Sequence, residues 1–412
     1  MSAAAAQPGA RPVSASGAAP LASILAITFF ASISGGAFWT GIFFVTAQHY
    51  RFSAARNLVL GAVMGAVYAL GARFTGPLLR RLGRRFSPRA ILVGSLSTWG
   101  LAAIVPLLAD AEALLWIVAG LGAAASAITW PVVESFLAAG RHGAAMRRAI
   151  GWFNVAWTPA TAVSLLVLPL LQRVNVLLTI AVSALVNLVA LLALFWLPAR
   201  PGAHEAEAAA AAVGREYPAL KAAASWLLPL SYLMSSTLSP ILPHRLAPFA
   251  GVAPLSVIAA AWMVARFATL LAMGRFGFWH GRWGTLFAAG SALCGGLALV
   301  FLGTSLVQVV LGLLLFGAGT GLTYFAALYY TMAVGHAAVD AGGNFEALIG
   351  MGYFAGPLLG LGGQVLGPVA LLGTGSPAAG ARAATLALTW TAAAFFVVRA
   401  IGPYLRARRT RG

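Results

Sequence analysis

Residues 76–85 read Gly76-Pro-Leu-Leu-Arg80-Arg81-Leu-Gly83-Arg84-Arg85. At a distance of 201 residues, Gly277-Phe-Trp-His-Gly-Arg282-Trp-Gly284 repeats the first Gly, the Arg and the second Gly. Two more matches keep nearly the same offset. Gly120 and Gly122 return as Gly319 and Gly321, and Ile150-Gly151 returns as Ile349-Gly350, each 199 residues on. Self-similarity at one spacing marks an internal duplication, so the chain reads as two related halves.

Outward from these motifs the chain is apolar. Runs bounded by charge, Pro or Gly lie at 21–46, 54–73, 89–109, 112–138, 148–171 and 175–197, and again at 225–243, 254–276, 284–304, 306–334, 344–372 and 383–405. A membrane span needs about 20 apolar residues, so six spans precede and six follow a polar stretch. The expected organisation is a disordered tail (1–20), a first bundle (21–197), a cytoplasmic linker (198–224), a second bundle (225–405) and a basic tail (406–412). The run after residue 20 is too long for a signal-peptide core, and no strongly basic segment precedes it.

Of 412 residues, 61% are apolar and 8% charged, against about 45–50% and about 25% in soluble domains. A water-soluble enzyme cannot cover itself with so little charge. The net charge of +18 does not point to nucleic acid either. With both termini cytoplasmic, twenty of the 26 basic residues lie inside, five lie outside, and Arg266 falls within a span. That is the Lys/Arg asymmetry of a membrane protein. The single cysteine, Cys294, excludes an intrachain disulfide, and no His, Cys or carboxylate spacing suggests a metal. No phosphate-binding loop or catalytic set is present, so neither an enzyme nor a cofactor is expected.

The stretch 76–85 resembles the loop between spans 2 and 3 of the major facilitator superfamily, Gly-x-Leu-x-Asp-Arg-x-Gly-Arg-Arg/Lys. Arg80 stands where the family has Asp. The resemblance implies an all-α membrane protein of twelve transmembrane helices in two pseudo-symmetric six-helix bundles. It further implies a substrate site between the halves and alternating access, expected here in a bacterial inner membrane and in a monomer, with a small-molecule substrate and lipid as partners. In the motif, Gly76 and Gly83 would permit a tight turn, and Arg81, Arg84 and Arg85 would pair with acids at neighbouring helix ends. Glu134, Arg141, Arg282, Asp340 and Glu346 are expected to complete this cytoplasmic gating network, with Glu134 held by the arginines of the 2–3 loop; a direct transport role for Glu134, such as proton carrier, is the alternative.

Glu134 and Arg141 have the Glu-x6-Arg spacing seen in sugar porters. Gly343-x8-Gly352-x3-Gly356-Pro357-x2-Gly360 resembles an antiporter signature, displaced from span 5 to span 11 and with Leu361 in place of the last Gly. Arg266 is the boldest candidate for the site. An Arg in mid-span costs at least about 2.5–3.5 kcal/mol, so it should face a partner such as Glu346 or a wet cavity, where its planar fork suits a carboxylate or phosphate. Trp39, Trp130, Asn154, Trp157, Tyr232, Tyr324 and Tyr329 are further substrate-binding candidates.

The functional expectation is efflux or exchange of a small organic solute. A sugar-like uniporter or symporter is the alternative, and a sensor, scaffold or lipid flippase is the reading from another class. Because every acid lies close to the end of an apolar run, weak or absent proton coupling is expected.

Overall fold

The computed structural model describes residues 18–83, 85–141, 143–202, 216–334, 339–370 and 376–409. Most of the expected N-terminal tail, Arg84, half of the expected linker, the side chain of Asp340 and the last three residues lie outside that description. Among the described residues there is no strand. The helices are α1 (Leu21–Gln48), α2 (Ala54–Leu82), α3 (Pro88–Leu108), α4 (Glu112–Ala138), α5 (Gly143–Val174) and α6 (Leu178–Trp196). They continue with α7 (Tyr217–Leu246), α8 (Leu255–Arg275), α9 (Trp283–Leu302), α10 (Leu306–Val334), α11 (Val339–Ala370) and α12 (Pro377–Arg409). The face on which α1 begins and α2 ends is called the first face below.

Eleven of these helices are long and apolar enough to cross a membrane; α7 is the exception. Its Ser231, Ser235, Ser236, Thr237 and Ser239 lower its hydropathy, and all five are buried. A helix enclosed by other helices needs no lipid-compatible surface. Its hydroxyls are satisfied by carbonyls, as buried polar groups must be. Ser236 donates to Gly352 O at 2.9 Å and Thr237 to Gly356 O at 2.8 Å, which fastens α7 to α11. The glycines of the 343–360 stretch thus serve close packing. At Gly352 and Gly356 there is no room for a Cβ against α7, nor at Gly360 against Leu58. Small residues permit such approach.

The duplication is visible in the packing. In the first half α5 meets α8, where Gly151 and Gly274 face each other and a Cβ on Gly274 would stand 3.3 Å from Gly151 Cα. In the second half α11 meets α2, where a Cβ on Gly350 would fall 2.5 Å from Ala69 Cα. The repeated Ile-Gly pairs therefore sit at two equivalent seams between the halves.

The 76–85 motif departs from expectation. Gly83 caps α2 at φ −62°, a conformation open to any residue; the left-handed glycines are Gly140 (φ 67°) and Gly281 (φ 68°) in other first-face loops. Three first-face arginines bond carbonyls, and of these Arg141 was expected to pair with acids. Arg89 donates to Leu197 O at 2.9 Å and Arg200 to Gly83 O at 3.4 Å. Arg141, buried, donates to Phe136 O at 3.1 Å, to Leu137 O at 2.8 Å and to Ala19 O. These carbonyls include the unpaired ends of α2, α4 and α6, where the helix dipole favours a cation. A chain with 8 acidic residues against 26 basic ones leaves few other partners. Arg81, Arg85 and Arg282 are exposed.

On the opposite face Arg56 pairs with Glu112, and His49 with Asp110 at 2.7 Å. Tyr50 also donates to Asp110, at 2.8 Å. Those bonds from Tyr50 and His49 hold the Asp110 carboxyl below the usual carboxylate range.

Candidate functional site

A central cavity of about 110 Å³ lies between the halves. It is lined from α1 (Ser32, Trp39, Thr40), α2 (Tyr68), α4 (Trp130), α5 (Phe153, Trp157, Thr161), α7 (Tyr232, Ser235, Ser239), α8 (Trp262, Met263, Arg266), α10 (Tyr324) and α11 (Glu346, Ile349, Tyr353). The helices α3, α6, α9 and α12 contribute nothing to this lining. Trp39 sits on a single π-helical turn, Ala37–Gly41, that interrupts α1. Such turns re-aim side chains and recur at functional sites.

Arg266 is 4% exposed and opens into this cavity. Its guanidinium lies over three rings, 4.5 Å from the centre of Trp157, 5.1 Å from Tyr324 and 5.6 Å from Tyr232. Each cation–π contact of this kind contributes about 0.5–2 kcal/mol, which offsets part of the cost of burying the charge. One Nη donates to the Tyr232 hydroxyl at 3.1 Å, while Nε has no partner. Among the described residues no carboxylate forms an ion pair with it, so the partnership with Glu346 is not made.

The rings continue across both seams. Trp157 meets Tyr324 edge-on at 5.3 Å; Tyr232 meets Tyr353 at 5.1 Å. Trp39 stacks on Tyr353 at 4.3 Å with 15° between planes, and Tyr68 packs edge-on against Trp39 at 5.3 Å. The cavity is therefore an aromatic box with one embedded cation.

The structure brings Trp39, Trp130, Trp157, Tyr232, Tyr324 and Arg266 together, and separates two other candidates. Asn154 is buried beside the cavity, where its Oδ1 accepts from Trp157 Nε1 at 2.8 Å; it positions that indole. Tyr329 lies toward the first face, against Trp279 (5.2 Å) and His280 (4.9 Å), with Arg147 of α5 reaching its hydroxyl from the other half.

Glu134 is the largest correction. It is 2% exposed, it forms no ion pair with a described arginine, and its neighbour is another acid. The carboxyls of Glu134 on α4 and Glu346 on α11 lie within hydrogen-bonding reach of each other across the seam. Glu346, 4% exposed, also accepts from the Tyr68 hydroxyl. Two carboxylates 4 Å apart would repel by roughly 4 kcal/mol at an effective dielectric constant of 20. Sequence reasoning placed both acids near loops. It also missed Tyr68 and Tyr353, although Glu346, Ile349 and Tyr353 follow the i, i+3, i+7 spacing of one helix face.

Solved structures with a similar fold are transporters. The human organic anion transporter MFSD10 (TETRAN) superposes with a TM-score of 0.65 at 14% identity, over 92% of this chain and 98% of that one. The nucleoside transporter NupG gives 0.64 at 14%, over 93% and 98%. A bacterial homologue of the human lysosomal transporter Spinster, in an inward-facing and unoccupied conformation, gives 0.58 at 16%, over 93% and 97%. No family model matches the sequence, and no curated protein matches it significantly. The likeness covers more than nine-tenths of the chain and establishes its architecture: an all-α membrane protein with the major facilitator fold.

Proposed function

We propose that this chain is a secondary transporter that moves a small, planar organic anion by alternating access, through exchange or efflux. The observation that carries this reading is Arg266. It is a buried cation with no acidic partner among the described residues and an unpaired Nε, set in a box of aromatic rings between the two halves. A guanidinium so placed suits a carboxylate, because its flat fork offers parallel donors. Trp39, Trp130, Phe153 and Trp157 supply apolar walls for a flat body. The arginine asymmetry supports a bacterial inner-membrane location with both termini cytoplasmic. The sugar-like alternative rested on the spacing of Glu134 and Arg141, and each of those residues has a different partner here.

Benzoate is the simplest probe. Proteoliposomes holding the purified protein and loaded with benzoate are expected to exchange it for labelled external benzoate, and Arg266→Ala is expected to abolish that exchange. Saturable hexose exchange without benzoate exchange, or benzoate exchange unchanged in Arg266→Ala, contradicts the reading.

A further inference from the structure

Beside the cavity, reaching it through Glu346, lies a second charged feature that anion binding does not use. Glu134 and Glu346 come from different halves, yet their carboxyls face each other in a buried position. Tyr68 of α2 donates to Glu346. Tyr232 of α7, Arg266 of α8, Tyr324 of α10 and Tyr353 of α11 line the same cavity. None of the described cations forms an ion pair with either acid. The Oε2 atom of Glu134 is fully buried with no hydrogen-bond partner at all.

An acceptor facing an acceptor in a buried seam lacks one thing, a hydrogen. Two ionised carboxylates would drive α4 and α11 apart; one proton between them turns repulsion into a hydrogen bond. The Tyr68 hydroxyl already satisfies one oxygen of Glu346, so the proton bridges the remaining oxygens to Glu134.

We propose that Glu134 and Glu346 form a proton-binding site across the seam between the halves, and that the bound proton latches that seam shut. Loss of the proton to water leaves two carboxylates that repel, and parting of the helices then hydrates both. Opening at this seam and proton release are thus one event. The site contradicts the weak proton coupling expected from sequence, and it rests on the transport reading only for what the proton would drive.

Infrared titration of the full-length protein in lipid nanodiscs tests the site without any substrate. The carboxylic-acid carbonyl band of the wild type is expected to persist at neutral pH. In Glu134→Gln and in Glu346→Gln the side-chain amide donates in place of the proton, so the midpoint of the remaining acid is expected to fall by about one pH unit or more, a tenfold loss of proton affinity. Spin labels at the exposed positions Arg81 and Arg282 report the first face. Their separation is expected to widen above the wild-type midpoint and to be insensitive to pH in Glu134→Gln.

A wild type with both glutamates ionised at neutral pH overturns the proposal. So does a midpoint that neither variant moves, or a label distance that ignores pH in the wild type. If one variant does not fold, the wild-type titration and the other variant still decide. Failure of benzoate exchange alongside the expected titration removes the anion reading and leaves the proton site. Benzoate exchange alongside a failed titration does the reverse.

Discussion

The two seams between the halves are built on one plan and carry opposite charge. At the α5–α8 seam a Gly151–Gly274 contact lets the helices touch, Thr161 donates to Met263 Sδ at 3.6 Å, and Arg266 is the buried ion. At the α2–α11 seam Gly350 is wedged against Ala69, Gly65 against Tyr353, and the buried ions are acids. The offset of 199 that relates the two Ile-Gly pairs also relates Arg147 on α5 to Glu346 on α11. Arg147 reaches Tyr329 of α10, and Glu346 reaches Glu134 of α4, so equivalent positions make equivalent crossings between the halves. The two seams share a geometry, and each carries its own buried charge. One seam carries the feature suited to an anion and the other the feature suited to a proton.

The sharpest way to break this comparison is to remove the cation. Arg266→Ala is expected to weaken benzoate binding, read by calorimetry, by a factor of about 30 or more, the effect of losing about 2 kcal/mol or more from a buried charge-assisted contact. Arg266→Met should lose binding equally yet keep or raise thermal stability, since it relieves an incompletely paired buried charge. A large loss of stability in that variant would mean that the arginine is structural.

Next in size is the contrast between the seam glycines. Gly350→Val forces atoms into the Ala69 backbone and should cost about 1–3 kcal/mol. Gly151→Ala should be close to neutral. Its Cβ would meet Gly274 Cα at 3.6 Å, an ordinary contact, and alanine favours the helix. Melting temperatures of the two purified variants check this, and equal shifts would contradict the difference in tightness.

Ser236→Ala removes the bond to Gly352 O and should cost about 1 kcal/mol, on the same thermal assay.

The smallest effect lies outside the seams. The Asp110 carboxyl is held below its ordinary value by Tyr50 and His49. Its stabilising contribution is therefore fully present above that ordinary value and is lost as pH falls through the lower folded value. Asp110→Asn should flatten the acid limb of the pH–stability curve slightly and leave neutral pH nearly unchanged.

Much of the fold was legible because hydropathy records what faces lipid. The run 225–243 marked α7, but the helix already starts at Tyr217, inside the stretch expected to be linker. Arg266 was legible as a lone charge in an apolar run, whose cost demands an explanation. Glu346 was not, because the Gly-Gly-Asn before it reads as loop, whereas α11 already begins at Val339. The pairing of Glu134 with Glu346 was hidden for a further reason. A search for partners looks for opposite charge, and a shared proton is written nowhere in the residue types. The first-face arginines misled similarly, since the carbonyls that Arg89, Arg141 and Arg200 use leave no mark in the sequence.

The central claim is that the halves rock about the cavity, opening one face as they close the other. Spin-label distances measured in one preparation test it most directly, with Arg81 and Arg282 labelled on the first face and Arg173 and Val252, all four exposed, on the opposite face. Adding benzoate is expected to change the two distances in opposite directions, and Arg266→Ala to abolish both changes. Two distances that stay fixed, or that move together, would contradict the account.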